Sequence, residues 1–170
     1  MTDKPRTPAV EAFWAEYRAA AGLDHDRYDV IAHDEDPAVQ TELAELILAG
    51  PKRATASLAR RYDGPGLPPR PRPGDHVVVV DGTDTPRCIW RTTQVTVGPL
   101  DGVDEAFAWD EGEGDRSRAY WLRVHRALFM REAAHGASPS PRTSPPSSNA
   151  SSWSGRAPFP FPYPGESIIA

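Results

Sequence analysis

The sequence predicts a mixed α+β domain in which three or four helices pack on a small sheet of short strands. Two helical segments each begin at a capping residue followed by proline and end at glycine. Between and after them, runs rich in β-branched residues are separated by Gly- and Pro-rich turns. Beyond residue 133, Ser, Pro, Gly and Ala dominate. We therefore expect a domain over residues 1–133 and a disordered tail over residues 134–170.

Capping residues define the first two helices. Thr7-Pro8 offers a capping hydroxyl and a proline at the first helical position, and Gly22 ends the segment. Its apolar face, at helical spacing, consists of Val10, Phe13, Trp14, Tyr17 and Ala21. Asp36-Pro37 and Gly50 bound a second helix in the same way. Its predicted buried stripe consists of Val39, Leu43, Leu46 and Ile47.

Four short strands are predicted around these helices, at residues 28–32, 55–58, 76–80 and 87–97. The third contains four consecutive valines, a pattern that suits a strand buried on both faces. The fourth alternates and follows the Asp81-Gly82 turn, so it is expected to pair with the third. Residues 63–73 are rich in Gly and Pro and are expected to form a loop.

Two further helices are predicted before the tail. The first is short and covers residues 104–109. Asp115 is expected to cap the second, whose inner face consists of Tyr120, Trp121, Val124, Leu128 and Phe129. The order of elements therefore places helices both before and after the strands.

Composition and charge limit the possible functions. The 170 residues carry a net charge of −5, and the tail, with two arginines and one glutamate, contributes +1, so residues 1–133 carry −6. An acidic domain repels a phosphate backbone, and tight binding to duplex DNA is not expected. Cys88 is the only cysteine, which excludes an intrachain disulfide and a cysteine-based zinc site. No cofactor, metal, membrane span or signal peptide is predicted, and a cytoplasmic location is expected.

The segment from Gly50 to Thr55 carries the best candidate site, because it delivers a lysine and a hydroxyl to a helix-to-strand junction. Thr55 is a nucleophile only if a base takes its proton, and Lys52 is such a base if burial or nearby positive charge lowers its pKa. Arg53 could supply that charge. Glu111 is a candidate acid or base that orients the lysine. The alternative is an exposed basic turn with Glu111 as solvated surface.

Other candidates have structural alternatives. The Pro/Gly loop carries a basic patch that either contacts phosphates or is solvated, formed by Arg60, Arg61, Arg70 and Arg72. Trp90 and Trp109 could stack on a base, but core packing is the favoured interpretation. His33 lies beside two carboxylates and is interpreted as part of a surface turn rather than a metal site. His125 is interpreted as a partly buried structural residue.

Four motifs follow one another along the chain: residues 48–57, Pro73-Gly74-Asp75, residues 111–117 and residues 120–126. In their order and spacing they resemble the ASCH domain family. The resemblance covers roughly residues 10–132. It implies a PUA-like fold, a small mixed β-barrel with helices packed on it, association with RNA or nucleosides, and a cleft beside Lys52.

A small bacterial member of that family removes the acetyl group of N4-acetylcytidine with a lysine, a threonine and a glutamate. The first two match Lys52 and Thr55 by spacing, and the glutamate matches Glu111, or Glu113 if the alignment shifts. The resemblance implies an amidohydrolase in which Lys52 deprotonates Thr55, Thr55 attacks the carbonyl and Glu111 assists proton transfer. The alternatives are a non-catalytic module that binds single-stranded RNA and a ribonuclease that uses the same cleft.

The tail departs from the family pattern. Such chains usually end with a strand resembling Pro-Val-Val-x-Glu-Arg-Phe-Glu-Val-Val that closes the sheet, whereas residues 145–154 here are rich in Ser and Pro. The barrel is therefore expected to lack its last strand. One back-translation of residues 145–154, read two bases later, gives Val-Val-Glu-Arg-Phe-Glu-Leu-Val. We hypothesise that the reading frame shifts near Gly136; the alternative is a natural disordered tail.

Overall fold

Two sheets and four helices make up residues 2–62, 64–135, 150–154 and 158–159, which the computed structural model describes. The strands are β1 (Thr2–Asp3), β2 (Asp29–Ala32), β3 (Thr55–Leu58), β4 (His76–Val80), β5 (Pro86–Arg91), β6 (Val95–Pro99), β7 (Ala150–Ser154) and β8 (Pro158–Phe159). The helices are α1 (Pro8–Ala21), α2 (Pro37–Ala49), α3 (Glu105–Glu111) and α4 (Arg118–His135).

The caps of α1 and α2 are confirmed. The Thr7 side chain accepts a hydrogen bond from the Val10 amide, and Gly22 ends α1 with a left-handed φ of 65°. The Asp36 side chain accepts hydrogen bonds from the first amides of α2, and Gly50 ends that helix at a φ of 94°. These side chains satisfy helix-end groups that have no partner inside the helix.

The first sheet has the order β1-β2-β4-β5-β8, and α1 and α2 pack on its two faces. Strand β2 pairs in parallel with β4, while β5 pairs antiparallel with β4. Val78 and Val80 pack against the α1 side, and Val79 packs with Ala44 and Ile47 of α2. The prediction that the valine run is buried on both faces is therefore confirmed.

The second sheet has the order β3-β7-β6, and it corrects two expectations. The predicted strand at residues 87–97 is divided, because the Thr92 amide and carbonyl bond to Asp75 and Gly74 and draw the chain away from the first sheet. A strand also occupies the position expected to be empty, since β7 pairs with β3 on one side and β6 on the other. Residues 136–149, where the frame shift is hypothesised, lie outside the described residues.

The expected barrel closure is not found in the described part of the chain. Strands β1 and β8 are the edges of the first sheet, and β3 and β6 are the edges of the second, with no ladder joining the two. Helices α3 and α4 instead pack beside the second sheet and form a separate apolar cluster. That cluster comprises Leu58, Leu100, Val103, Ala108, Trp121, Leu122 and Phe129.

The start of α4 and the position of Trp109 differ from the predictions. Ser117 provides the cap, since its hydroxyl accepts a hydrogen bond from the Tyr120 amide, while Asp115 accepts one from the Ser117 amide in the preceding turn. Trp109 is not a core residue, because its side chain is 56% exposed. The Arg116 guanidinium stacks over its ring at 3.8 Å and covers one face.

Candidate functional site

A cleft of about 810 Å³ lies between α2, the start of β3, the segment after α3 and the helix α4. Its polar and charged lining residues include His33, Asp34, Glu35, Asp36, Glu42, Lys52, Thr55, Arg61, Glu111, Glu113, Tyr120, His125 and Arg131. Its apolar walls come from the predicted inner faces of two helices: Val39, Leu43, Leu46, Val124 and Leu128. These five side chains were expected in the core, but they are only partly buried because they border the cleft.

Backbone contacts fix the lysine segment against α2 and against the end of α3. The Lys52 amide donates to the Leu46 carbonyl at 3.2 Å, and the Ala54 amide donates to the Asp110 carbonyl at 3.0 Å. Gly112 comes so close that a Cβ there would lie 2.5 Å from the Pro51 carbonyl carbon. Its φ of 73° also favours glycine. The glycine after Glu111 thus permits the approach that brings the acidic segment to the lysine.

Lys52 is paired with two carboxylates. Its Nζ lies 2.5 Å from Oε2 of Glu111 and 2.8 Å from Oε1 of Glu113. The side chains of Lys52 and Glu111 are each 1% exposed, whereas that of Glu113 is 23% exposed. Glu111 is therefore the deeply buried partner, and Glu113 is the partner more open to the cleft.

These carboxylates determine the protonation of the lysine. Burial alone lowers the pKa of Lys52, but the charges and hydrogen bonds of Glu111 and Glu113 outweigh it and raise the pKa above the usual lysine value. In turn, burial raises the pKa of Glu113, but the charge of Lys52 outweighs that effect and the pKa is lowered. Lys52 is thus an ammonium ion at neutral pH, which argues against the predicted role as base toward Thr55.

The structure brings Lys52, Thr55 and Glu111 to one cleft, although Glu111 is 59 positions from Lys52. Thr55 opens β3 and is 7% exposed. Of the four arginines in the predicted basic patch, Arg61 is the one that lines the cleft. The patch therefore contributes one cation to the site rather than a continuous basic surface.

The cleft contains two histidines, His33 and His125, for which the sequence predicts only structural roles. His33 is 4% exposed, so the prediction of a surface turn is wrong. His125 is buried and stacks on Trp121 at 4.1 Å, with Nδ1 3.1 Å from the Trp121 carbonyl oxygen. A carbonyl only accepts, so Nδ1 donates, and Nε2 lies 3.7 Å from Oε1 of Glu111. The position of His33 at the carboxyl end of a predicted strand was a usable signal, because ligands often bind there.

The cleft carries an excess of negative charge. Six of its lining residues are Asp or Glu, and three are Lys or Arg. Among the described residues, no group of three or more His, Cys, Asp and Glu side chains is arranged to hold a metal ion. The helices described in this chain include none that is long and apolar enough to span a membrane. The local chemistry is therefore that of a charged, partly apolar cleft built around one buried ammonium.

Two solved structures resemble this chain along most of its length. The ASCH domain from Lactobacillus crispatus JV V101 is 29% identical, with a TM-score of 0.73 over 85% of this chain and 90% of that one. A protein of the DUF984 family from Enterococcus faecalis V583 is 25% identical, with a TM-score of 0.75 over 95% of this chain and 98% of that one. No curated protein matches the sequence.

The sequence itself also matches a family model. The match is to the ASCH domain and covers residues 29–144, more than half of the chain. It contains the lysine segment, the acidic segment and α4, which together build most of the cleft. The chain belongs to the ASCH domain family.

Proposed function

We propose that this protein is a small cytoplasmic amidohydrolase that removes the acyl group from an N4-acetylcytidine-like nucleoside. The observation that carries the proposal is the Lys52 ammonium, fixed between Glu111 and Glu113 in the wall of a cleft that also contains Thr55. An oriented cation in a poorly solvated site is suited to stabilise the oxyanion that forms when an amide carbonyl is attacked. The resemblance of these residues to the deacetylase motif agrees with this chemistry.

The size and charge of the cleft support an uncharged, nucleoside-sized substrate. A volume of about 810 Å³ lies within the range of small-molecule sites. The apolar walls from α2 and α4 suit the faces of a heteroaromatic ring. The excess of carboxylates opposes a phosphodiester chain, which ranks the RNA-binding and ribonuclease alternatives below the amidohydrolase.

The pairing of Lys52 suggests how the roles are divided. Thr55 Oγ1 attacks the acyl carbonyl carbon, its proton passes to Glu113, and Lys52 stabilises the oxyanion. As the oxyanion engages Lys52, Glu113 loses part of the interaction that lowers its pKa and becomes a stronger base. The proton then passes to the departing amino nitrogen as the carbon–nitrogen bond breaks. Water hydrolyses the acyl-threonine and regenerates the hydroxyl, while Glu111 holds Lys52 in position.

The test measures the release of cytidine from N4-acetylcytidine, with the product quantified by chromatography. We expect the folded wild type to turn over and both Lys52→Ala and Glu111→Gln to lose at least about a hundredfold in kcat, the scale of removing one oxyanion-stabilising group. Arg53→Ala is the matched control, because this neighbouring cation is exposed and does not line the cleft. A folded wild type without turnover would contradict the proposal. Salt-dependent binding of single-stranded RNA without hydrolysis would instead support a binding module.

A further inference from the structure

His33 is a buried residue of the cleft that the proposed mechanism does not use. It directly follows β2 and lines the cleft together with Lys52. Its ring lies against Trp90, with centroids 5.9 Å apart. The imidazole is thus enclosed by the core on one side and borders the candidate site on the other.

The loop that carries His33 is held by several hydrogen bonds. Asp34 has a φ of 73°, which is unusual for a residue other than glycine. Its carboxylate accepts hydrogen bonds from the Glu35 amide at 2.7 Å and the Asp36 amide at 3.0 Å. The Gln40 side chain donates to the Asp34 carbonyl at 3.0 Å. Such backbone conformations persist where the surrounding structure enforces them, often at functional sites. The backbone that carries His33 is therefore held in one conformation.

The Nε2 atom of His33 is buried and makes no hydrogen bond to any residue that the structure describes. Buried polar side-chain atoms in folded proteins nearly always have a partner, so this nitrogen is available to a ligand. Lys52 already donates to the carboxylates of Glu111 and Glu113, and one of its three N–H donors has only the Glu111 carbonyl, at 3.5 Å. His33 Nε2 has no such partner among the described residues, so it can bind a ligand without giving up a hydrogen bond.

Its surroundings keep the imidazole neutral. Burial lowers the pKa of His33 well below the usual value, and the charge of Lys52 lowers it further. A neutral imidazole has one N–H donor and one acceptor nitrogen. Since the Lys52 ammonium attracts partial negative charge to this part of the cleft, the favoured ligand atom is a carbonyl oxygen. The tautomer that fits it carries the proton on Nε2.

We propose that His33 determines substrate specificity by donating a hydrogen bond from Nε2 to a carbonyl oxygen of an uncharged heteroaromatic substrate. This inference rests on the proposed function, because an N4-acylated cytidine offers such an oxygen on both its ring and its acyl group. His33 thereby binds the carbonyl oxygen of the substrate, whereas Lys52 stabilises the negative charge that develops during the reaction.

Two substitutions separate this role from simple packing. His33→Phe keeps an aromatic ring beside Trp90 but removes the N–H, and His33→Gln keeps an N–H donor at similar reach. We expect His33→Phe to raise KM by roughly ten- to a hundredfold, the scale of an unsatisfied hydrogen bond, and His33→Gln to recover most of that loss. His25→Phe, a histidine that does not line the cleft, is the matched control.

The closing experiment measures KM for N4-acetylcytidine and the affinity for cytidine by calorimetry, with the thermal midpoint recorded for each full-length variant. Turnover with unchanged KM in a folded His33→Phe would overturn the inference and leave the proposed function standing. Cytidine binding without turnover, lost in His33→Phe and kept in His33→Gln, would overturn the function and support the inference. A wild type that neither binds nor turns over would overturn both.

Discussion

Lys52 shows how two carboxylates can fix the chemical role of a buried amine. Its ammonium lies between Glu111 and Glu113. It is therefore suited to stabilise negative charge on a substrate and not to accept a proton. The sequence indicated the lysine, the threonine and a glutamate, because their spacing matches a known motif. It could not assign the roles, since the proton affinity of Lys52 depends on groups about 60 positions away.

Removing the lysine should destabilise the protein as well as inactivate it. Lys52→Ala leaves the buried Glu111 carboxylate without its partner, for which we expect a loss of about 3–5 kcal/mol in the free energy of unfolding. Arg53→Ala, on the exposed neighbour, should stay within about 0.5 kcal/mol of the wild type. Urea denaturation measures both variants. Equal stability of Lys52→Ala and Arg53→Ala would contradict the pairing.

Glu113 should make the free energy of unfolding depend on pH in the acidic range. Its pKa in the folded protein lies below the ordinary value of 4.5, so its contribution is present above about pH 4.5 and is lost as pH falls through the lower folded pKa. The difference in unfolding free energy between wild type and Glu113→Gln should therefore be constant from pH 6 to 8 and shrink below about pH 4.5. Denaturation at a series of pH values measures this, and a difference that grows in acid would refute it.

Among the elements, those with local causes were predicted best. Helices α1 and α2 are capped by Thr7 and Asp36 as expected, because a cap is satisfied within a few residues. The division between β5 and β6 was not predicted, since it depends on hydrogen bonds between Thr92 and two residues of a turn 17 and 18 positions earlier. The burial of His33 was missed for the same reason, because it is produced by packing against other elements.

The turn after α3 should be sensitive to a single methyl group. Gly112→Ala places a Cβ 2.5 Å from the Pro51 carbonyl carbon in addition to the strain of a positive φ. Gly22→Ala is the matched control, because that position has a φ of 65° with nothing within 4 Å of the added Cβ. We expect about 1–2 kcal/mol of destabilisation for Gly22→Ala and more for Gly112→Ala. Thermal denaturation that ranks them in the opposite order would contradict the close approach.

At the scale of the whole molecule, strand β7 is the central strand of the second sheet and pairs with β3, the strand that begins at Thr55. Strand β7 lies between β3 and β6, and Ser154 is in register with Thr55 on one side and Val95 on the other. Its sequence, Ala-Ser-Ser-Trp-Ser, is poor in the β-branched and aromatic residues that favour strands. The family pattern at this position contains more β-branched and aromatic residues. We therefore retain the proposal that the reading frame shifts before this strand.

Restoring that pattern should stabilise the protein. Replacing residues 147–154 by Val-Val-Glu-Arg-Phe-Glu-Leu-Val should raise the thermal midpoint by several degrees, because a gain of about 1 kcal/mol shifts a domain of this size by roughly 2–4 °C. A scrambled order of the same eight residues is the control. Sequencing the encoding DNA tests the origin of the tail independently. Equal midpoints for the replaced and original chains would count against the hypothesis.

The central claim is that Thr55 attacks the acyl carbon of the substrate and that the Lys52 ammonium stabilises the resulting oxyanion. The most direct measurement is mass spectrometry of protein quenched during turnover of N4-acetylcytidine, with the modified peptide sequenced. The account predicts one acetyl group on Thr55, absent from Thr55→Ala, which should also release no cytidine above background. Cytidine release at the wild-type rate by Thr55→Ala would contradict the account.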